Sequence, residues 1–171
     1  TIADVTPWGG DTRACARSGL QRRSLEPRPG RWGLGEIVGI RRGAGLTAED
    51  VSFRFAPRLN APGRLHSPEP ALELLLSTDV VRARILAAKL EQDTRTRREI
   101  ESAVMEAALV QIRDTHQGES AAIVVAAQGW HFGVVGIVAA RLVERFGVPA
   151  AVIALSGKDG RGSVRGPSGA K

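Results

Sequence analysis

The chain has 171 residues, 43% hydrophobic and 25% charged, which is globular composition and not that of a disordered chain. Its 24 basic against 18 acidic side chains give +6 at neutral pH, and the excess is carried almost wholly by arginine, since Lys89, Lys158 and Lys171 are the lysines. One cysteine, Cys15, excludes a disulfide framework or multi-cysteine zinc site and fits a reducing cytoplasm; no apolar run approaches the roughly 20 residues of a membrane span.

In chain order, residues 1–10 read as the tail of a strand and a turn ended by Pro7 and Gly9-Gly10. The start at Thr1 and the stop after Gly-Ala-Lys give the expectation of a fragment of a longer protein. Helical pieces are expected near 13–22 and 33–40, broken by Pro27 and Pro29, and Thr47 with Asp50 three residues on forms a capping pair. The segment 53–65, FRFAPRLNAPGRL, reads as an arginine-rich loop, because two prolines and a glycine argue against a long regular element.

A short buried helix over 68–76 is followed by a long one capped by Ser77 or Thr78 and stopped by Gly118. Val81, Ile85, Leu86 and Leu90 give it one apolar stripe, and Ile100, Val104, Ala107 and Ala108 another. Between them, 91–99 (EQDTRTRRE) is polar on every face, as expected of a helix that bridges two domains with nothing to bury midway. The pattern then turns to strand, helix, strand. Residues 121–127 read as a parallel strand covered on both faces, 133–146 as a helix closed by Gly147 and Pro149, and 150–155 as a second strand. The class is α/β, and ligands of such sheets sit beyond the carboxyl ends of the strands, here the loops 128–132 and 156–165.

The glycine-rich run 157–165 (GKDGRGSVR) offers close backbone approach at Gly162, a hydroxyl at Ser163 and a fork of donors at Arg165, so it reads as a phosphate cradle or as a plain hairpin. His131 precedes a helix N-terminus that favours anions, and it either donates to one or satisfies a loop group. Arg58, Asn60 and Arg64 are suited to a sugar–phosphate backbone or to pairing with carboxylates. Asp4 is a lone carboxylate, and His66, His116 and His131 show no metal-ligand spacing. The two basic ends flank an acidic middle: residues 1–70 hold 11 basic and 7 acidic groups, 71–120 hold 7 and 9, and 121–171 hold 6 and 2. A polyanion running between the ends is one reading of that distribution, and ordinary surface charge the other.

Four segments in order, TIADV with Pro7, FRFAPRLNAPGRL, GWHFGVVGIVAARLVERF and Gly162-Ser163-Val164-Arg165, resemble the RecJ-type single-stranded-DNA exonucleases of the DHH phosphoesterase superfamily. The resemblance implies that residues 1–76 end a DHH catalytic domain, 77–117 form the bridging helix and 118–171 belong to a DHH-associated nucleic-acid-binding domain. It implies a metal-dependent 5′→3′ exonuclease of DNA repair and recombination, using two Mn2+ or Mg2+ ions, with Asp4 as a metal ligand and no complete catalytic set in this chain. Ser163 and Arg165, with Gly162, match the residues that bind the terminal 5′ phosphate; Arg58, Asn60 and Arg64 match a loop facing the cleft, and His131 a histidine of the same segment. The partner implied is single-stranded DNA, for a cytoplasmic, monomeric protein. The Asp-His-His triplet is not in this chain, Gly166 replaces the usual serine, and His66 stands where a small or acidic residue is common. The alternatives are a non-catalytic nucleic-acid-binding module and a small-substrate DHH phosphoesterase acting on nanoRNA or cyclic dinucleotides; the glycine-rich histidine run of the latter is not found.

Overall fold

A computed structural model describes residues 2–3, 6–7, 9–25, 28–40, 45–115, 120–167 and 169. The fold is mixed α/β, with helices predominating, and the chain divides into two compact units, Thr1–Arg95 and Thr96–Lys171. No helix among the described residues is long and apolar enough to cross a membrane.

The first unit is helical: α1 (Gly10–Leu25), α2 (Pro29–Ile37), α3 (Ala56–Leu65), α4 (Glu69–Leu76) and the start of α5 (Val80–Asp114). Pro29 opens α2, where its missing N–H is one the helix could not pair anyway. α2 has to be narrow. A Cβ at Gly30 would lie 1.7 Å from the Leu74 carbonyl oxygen of α4, and one at Gly33 2.8 Å from that of Ala83 in α5. That close approach lets Leu34 and Val38 join Phe55, Ala71, Leu74, Ala83, Leu86, Ala87 and Leu90 in one apolar core. The capping pair forms as expected: Thr47 Oγ1 accepts from the Asp50 N–H (3.1 Å), and the Thr47 N–H donates to Asp50 Oδ2 (3.1 Å).

Several expectations give way here. The segment read as a loop is helical throughout, a π-helical stretch Asp50–Phe55 running into α3. Pro57 falls in the first turn of α3, where proline is tolerated, and Pro62 is accommodated inside it and buried with Ala61. Helix α4 buries only Ala71 and Leu74, while Leu72, Leu75 and Leu76 are exposed. Asp79, not Ser77 or Thr78, caps α5, its Oδ1 accepting from the Arg82 N–H at 2.6 Å. Of the first apolar stripe, Val81 and Ile85 are exposed, and the buried line is Ala83, Leu86, Ala87 and Leu90. In the second, Ala107 is exposed and Val104, Ala108 and Ile112 are buried. The expected stop at Gly118 lies outside the described residues.

The middle of α5 is not wet on every face. Thr94 and Glu101 are fully or almost fully buried. Thr94 Oγ1 donates to the Leu90 carbonyl, Glu91 Oε2 accepts from Arg58 Nε of α3 at 2.6 Å, and Asp93 Oδ1 lies 3.2 Å from His66 Nε2. Because His66 Nδ1 accepts from the Ser67 N–H, the ring carries its proton on Nε2 and donates it to Asp93. Polar residues can line a buried helix face when their partners come from neighbouring elements, a pattern that composition along one helix does not reveal.

In the second unit, β1 (Ile123–Gln128) pairs in parallel with β2 (Ala150–Ser156), Ile123 opposite Ala150, and α6 (Phe132–Phe146) connects them. Gly147, left-handed at φ +71°, closes α6. A third strand, β3 (Asp159–Arg165), returns antiparallel along β2, giving the order β1-β2-β3. Val134, Val135, Val138, Ala139 and Leu142 of α6 pack with Ile123, Val125, Ala150, Val152 and Ala154 of the sheet and with Val104, Ala108 and Ile112 of α5. The β1 strand is covered on one face only, since Val124 is 53% exposed. Its outer edge is closed by a side chain: Gln111 of α5 donates to the Ala126 carbonyl (3.0 Å) and accepts from the Ala126 N–H (2.9 Å).

Candidate functional site

The run 157–165 is not a loop at the carboxyl ends of the strands. Its turn at 157–158 folds it into β3, which carries Ser163 and Arg165 back along the sheet: Ser163 lies opposite Val152 and Arg165 opposite Ala150, at the beginning of β2. Paired residues of an antiparallel ladder share a face. Ala150, Val152 and Ala154 point at α6, so Arg165, Ser163 and Arg161 do too. Gly162 faces the other way, under Ile153, whose Cγ1 would lie 3.0 Å from an added Cβ. Gly162 thus allows strand packing and does not share the face of its two neighbours.

On the α6 side the decisive position is Gly136. A Cβ there would sit 3.3 Å from Ser163 Oγ and 3.6 Å from Arg165 Nη2. The hydroxyl and the guanidinium therefore converge on a helix backbone that has no side chain to obstruct them. Arg165 Nη1 donates to the Val164 carbonyl at 3.0 Å, which turns the fork so that Nη2 faces Gly136. Arg165 is exposed and Ser163 half-buried. Such a pair, one permanent cation and one neutral donor, is suited to an anionic oxygen.

His131 is the N-cap of α6, its Nδ1 accepting from the Gly133 N–H at 3.1 Å while its carbonyl accepts from Val134. The helix amides that an anion would use are thus partly taken, and the proton of the neutral ring resides on Nε2. Arg161 and Phe132, not singled out from the sequence, face each other at the same α6–β3 junction, the guanidinium carbon 5.7 Å from the ring centroid. Their signal was the alternation Arg161-Gly162-Ser163-Val164-Arg165, which places three polar side chains on one strand face.

Arg58, Asn60 and Arg64 do not form one group. Arg58 is committed to Glu91 and to the Arg54 carbonyl (2.8 Å), with its side chain 13% exposed. Asn60 and Arg64, four residues apart on α3, share an exposed helix face. Asp4 lies outside the described residues. Among the described residues no three His, Cys, Asp or Glu side chains come together to hold a metal ion, so they do not fit a two-metal centre.

No protein-family model matches the chain. It is 40% identical over 170 residues to the single-stranded-DNA-specific exonuclease RecJ of Bacillus subtilis, covering 96% of this chain and 21% of that protein. It is 38% identical over 178 residues to that of Escherichia coli, covering 99% and 30%. Over nearly its whole length this chain is similar to a segment of these RecJ exonucleases. The crystal structure of Thermus thermophilus RecJ with Mn2+ superimposes with a TM-score of 0.85 at 36% identity, over 99% of this chain and 24% of that one; the Mg2+ complex gives the same score. The chain therefore spans between a fifth and a third of the length of these curated relatives.

Proposed function

We propose that this chain is part of a metal-dependent exonuclease that degrades single-stranded DNA from the 5′ end in repair and recombination. In this reading residues 1–76 close a DHH catalytic domain, 77–117 form the bridging helix and 118–171 belong to the DHH-associated, nucleic-acid-binding domain. The protein is cytoplasmic and monomeric, and its Mn2+ or Mg2+ ions are held outside the described residues. The observation that supports it best is the convergence of Ser163 Oγ and Arg165 Nη2 on Gly136. A terminal phosphate lying against Gly136 accepts from the serine hydroxyl and the guanidinium, and the missing Cβ lets it approach the helix. Holding the end there fixes which phosphodiester is presented for cleavage, a contribution of position and not of bond chemistry. The named relatives favour this reading over a non-catalytic module or a small-substrate phosphoesterase.

The test uses the complete protein containing this chain, Mn2+, and oligonucleotides labelled at either end. Mononucleotide release from the 5′ end of single strands, with blunt duplex resistant, is expected. Release from the 3′ end, or equal digestion of duplex, contradicts the proposal.

A further inference from the structure

The Ser163–Arg165 corner is the inner end of a longer row. Along β3, residues two apart stand about 6.7 Å from each other on one face, so Arg161 lies one such step beyond Ser163. Opposite Arg161 on α6 is Phe132, the first residue of the helix and one turn before Gly136. Phe132 is 54% exposed, although the fold buries the next two apolar residues of α6, Val134 and Val135. Its ring is thus held beside a cation at the helix–strand junction and not used in the core. The Arg161 guanidinium lies over the ring of this half-exposed phenylalanine, and an aromatic ring paired with a cation is the combination that single-stranded nucleic acids exploit, the ring stacking on a base and the cation meeting the backbone.

We propose that Phe132 and Arg161 form a base-stacking step for a nucleotide near the 5′ end of the bound strand, next to the phosphate corner at Ser163 and Arg165. This rests on the reading of the chain as part of a single-strand exonuclease, and it adds a contact to the base where that reading needs only the end phosphate. The contact tolerates any base, because every base offers a π face.

The experiment measures equilibrium binding of 5′-phosphorylated oligothymidylate to the complete protein without divalent ions, using the intact strand and strands with one abasic site at each of the first four positions. Wild-type protein is expected to lose affinity at one particular abasic position. F132A should bind the intact strand roughly 5- to 150-fold more weakly and lose nothing further at that position. F132L should behave as F132A, F132W should retain affinity, and all three should melt with the wild type. F132A binding as tightly as wild type, or losing affinity additively at every abasic position, overturns the stacking step. Failure of the wild-type protein to bind the single strand at all contradicts the underlying reading instead.

Discussion

Gly136 illustrates how one missing side chain can serve a site without serving stability. Glycine inside a helix costs about 1 kcal/mol relative to alanine, so G136A should leave the protein as stable or slightly more so. The added Cβ would nonetheless meet Ser163 Oγ at 3.3 Å and crowd Arg165 Nη2. The expected result is an unchanged or raised melting temperature with several-fold weaker binding of a 5′-phosphorylated strand, checked by calorimetry and titration. Glu101 presents the opposite case. It is 2% exposed, 2.5 Å from Arg97 Nη1 and 2.7 Å from Arg141 Nη2, the second contact close but without hydrogen-bond alignment. Removing the carboxylate deprives Arg97, whose side chain is 11% exposed, of its buried ion-pair partner. E101A should therefore lose about 3 kcal/mol in urea unfolding, more than any exposed pair contributes.

At the level of elements, the stretch before α3 depends on one carboxylate. Asp50 has its pKa lowered, first by the hydrogen bond from Arg54 and then by those from Thr47. A depressed folded value means the unfolded chain takes up the proton first. The stabilisation is complete above the ordinary value of 3.8 and fades as the pH falls below it through the folded value. Acid titration followed by helical circular dichroism should show this loss in the wild type, and D50N should have less helix at neutral pH and a shallower acid slope. The capping pair was legible in the sequence because both of its partners lie within one turn. So were α6 and both parallel strands, whose signals are apolar periodicity and a Gly-Pro stop. The helix over 56–65 was not: Pro57 and Pro62 are strong local breakers, overridden by the tertiary burial of Ala61 and Pro62. The paired polar face of α5 was hidden for a related reason, since Arg58, His66 and Arg141 reach it from elsewhere in the chain.

For the whole molecule, the same division between local and distant information decides how much of the site could be read. Ser163 and Arg165 are recognisable as a motif, yet the glycine-rich pattern around them points to a loop at the carboxyl ends of the strands. Only the strand register shows that they face α6 at the beginning of β2. Arg58 matched the same family pattern, and the structure shows it satisfied by Glu91. The net charge of +6, carried mainly by arginine, fits an electrostatic share in binding a polyanion. Single-strand affinity of the complete protein should accordingly fall linearly on a logarithmic scale with salt, and R161A and R165A should each reduce that slope by about 0.7. The phosphate corner at Ser163 and Arg165 is central to the proposed function. Its most direct measurement compares kcat/KM of the complete wild-type protein and R165A on single strands ending in 5′ phosphate or 5′ hydroxyl. The wild type should prefer the phosphorylated end, and R165A should lose most of that preference while acting on the hydroxyl end nearly as before; an undiminished preference in R165A would contradict the account.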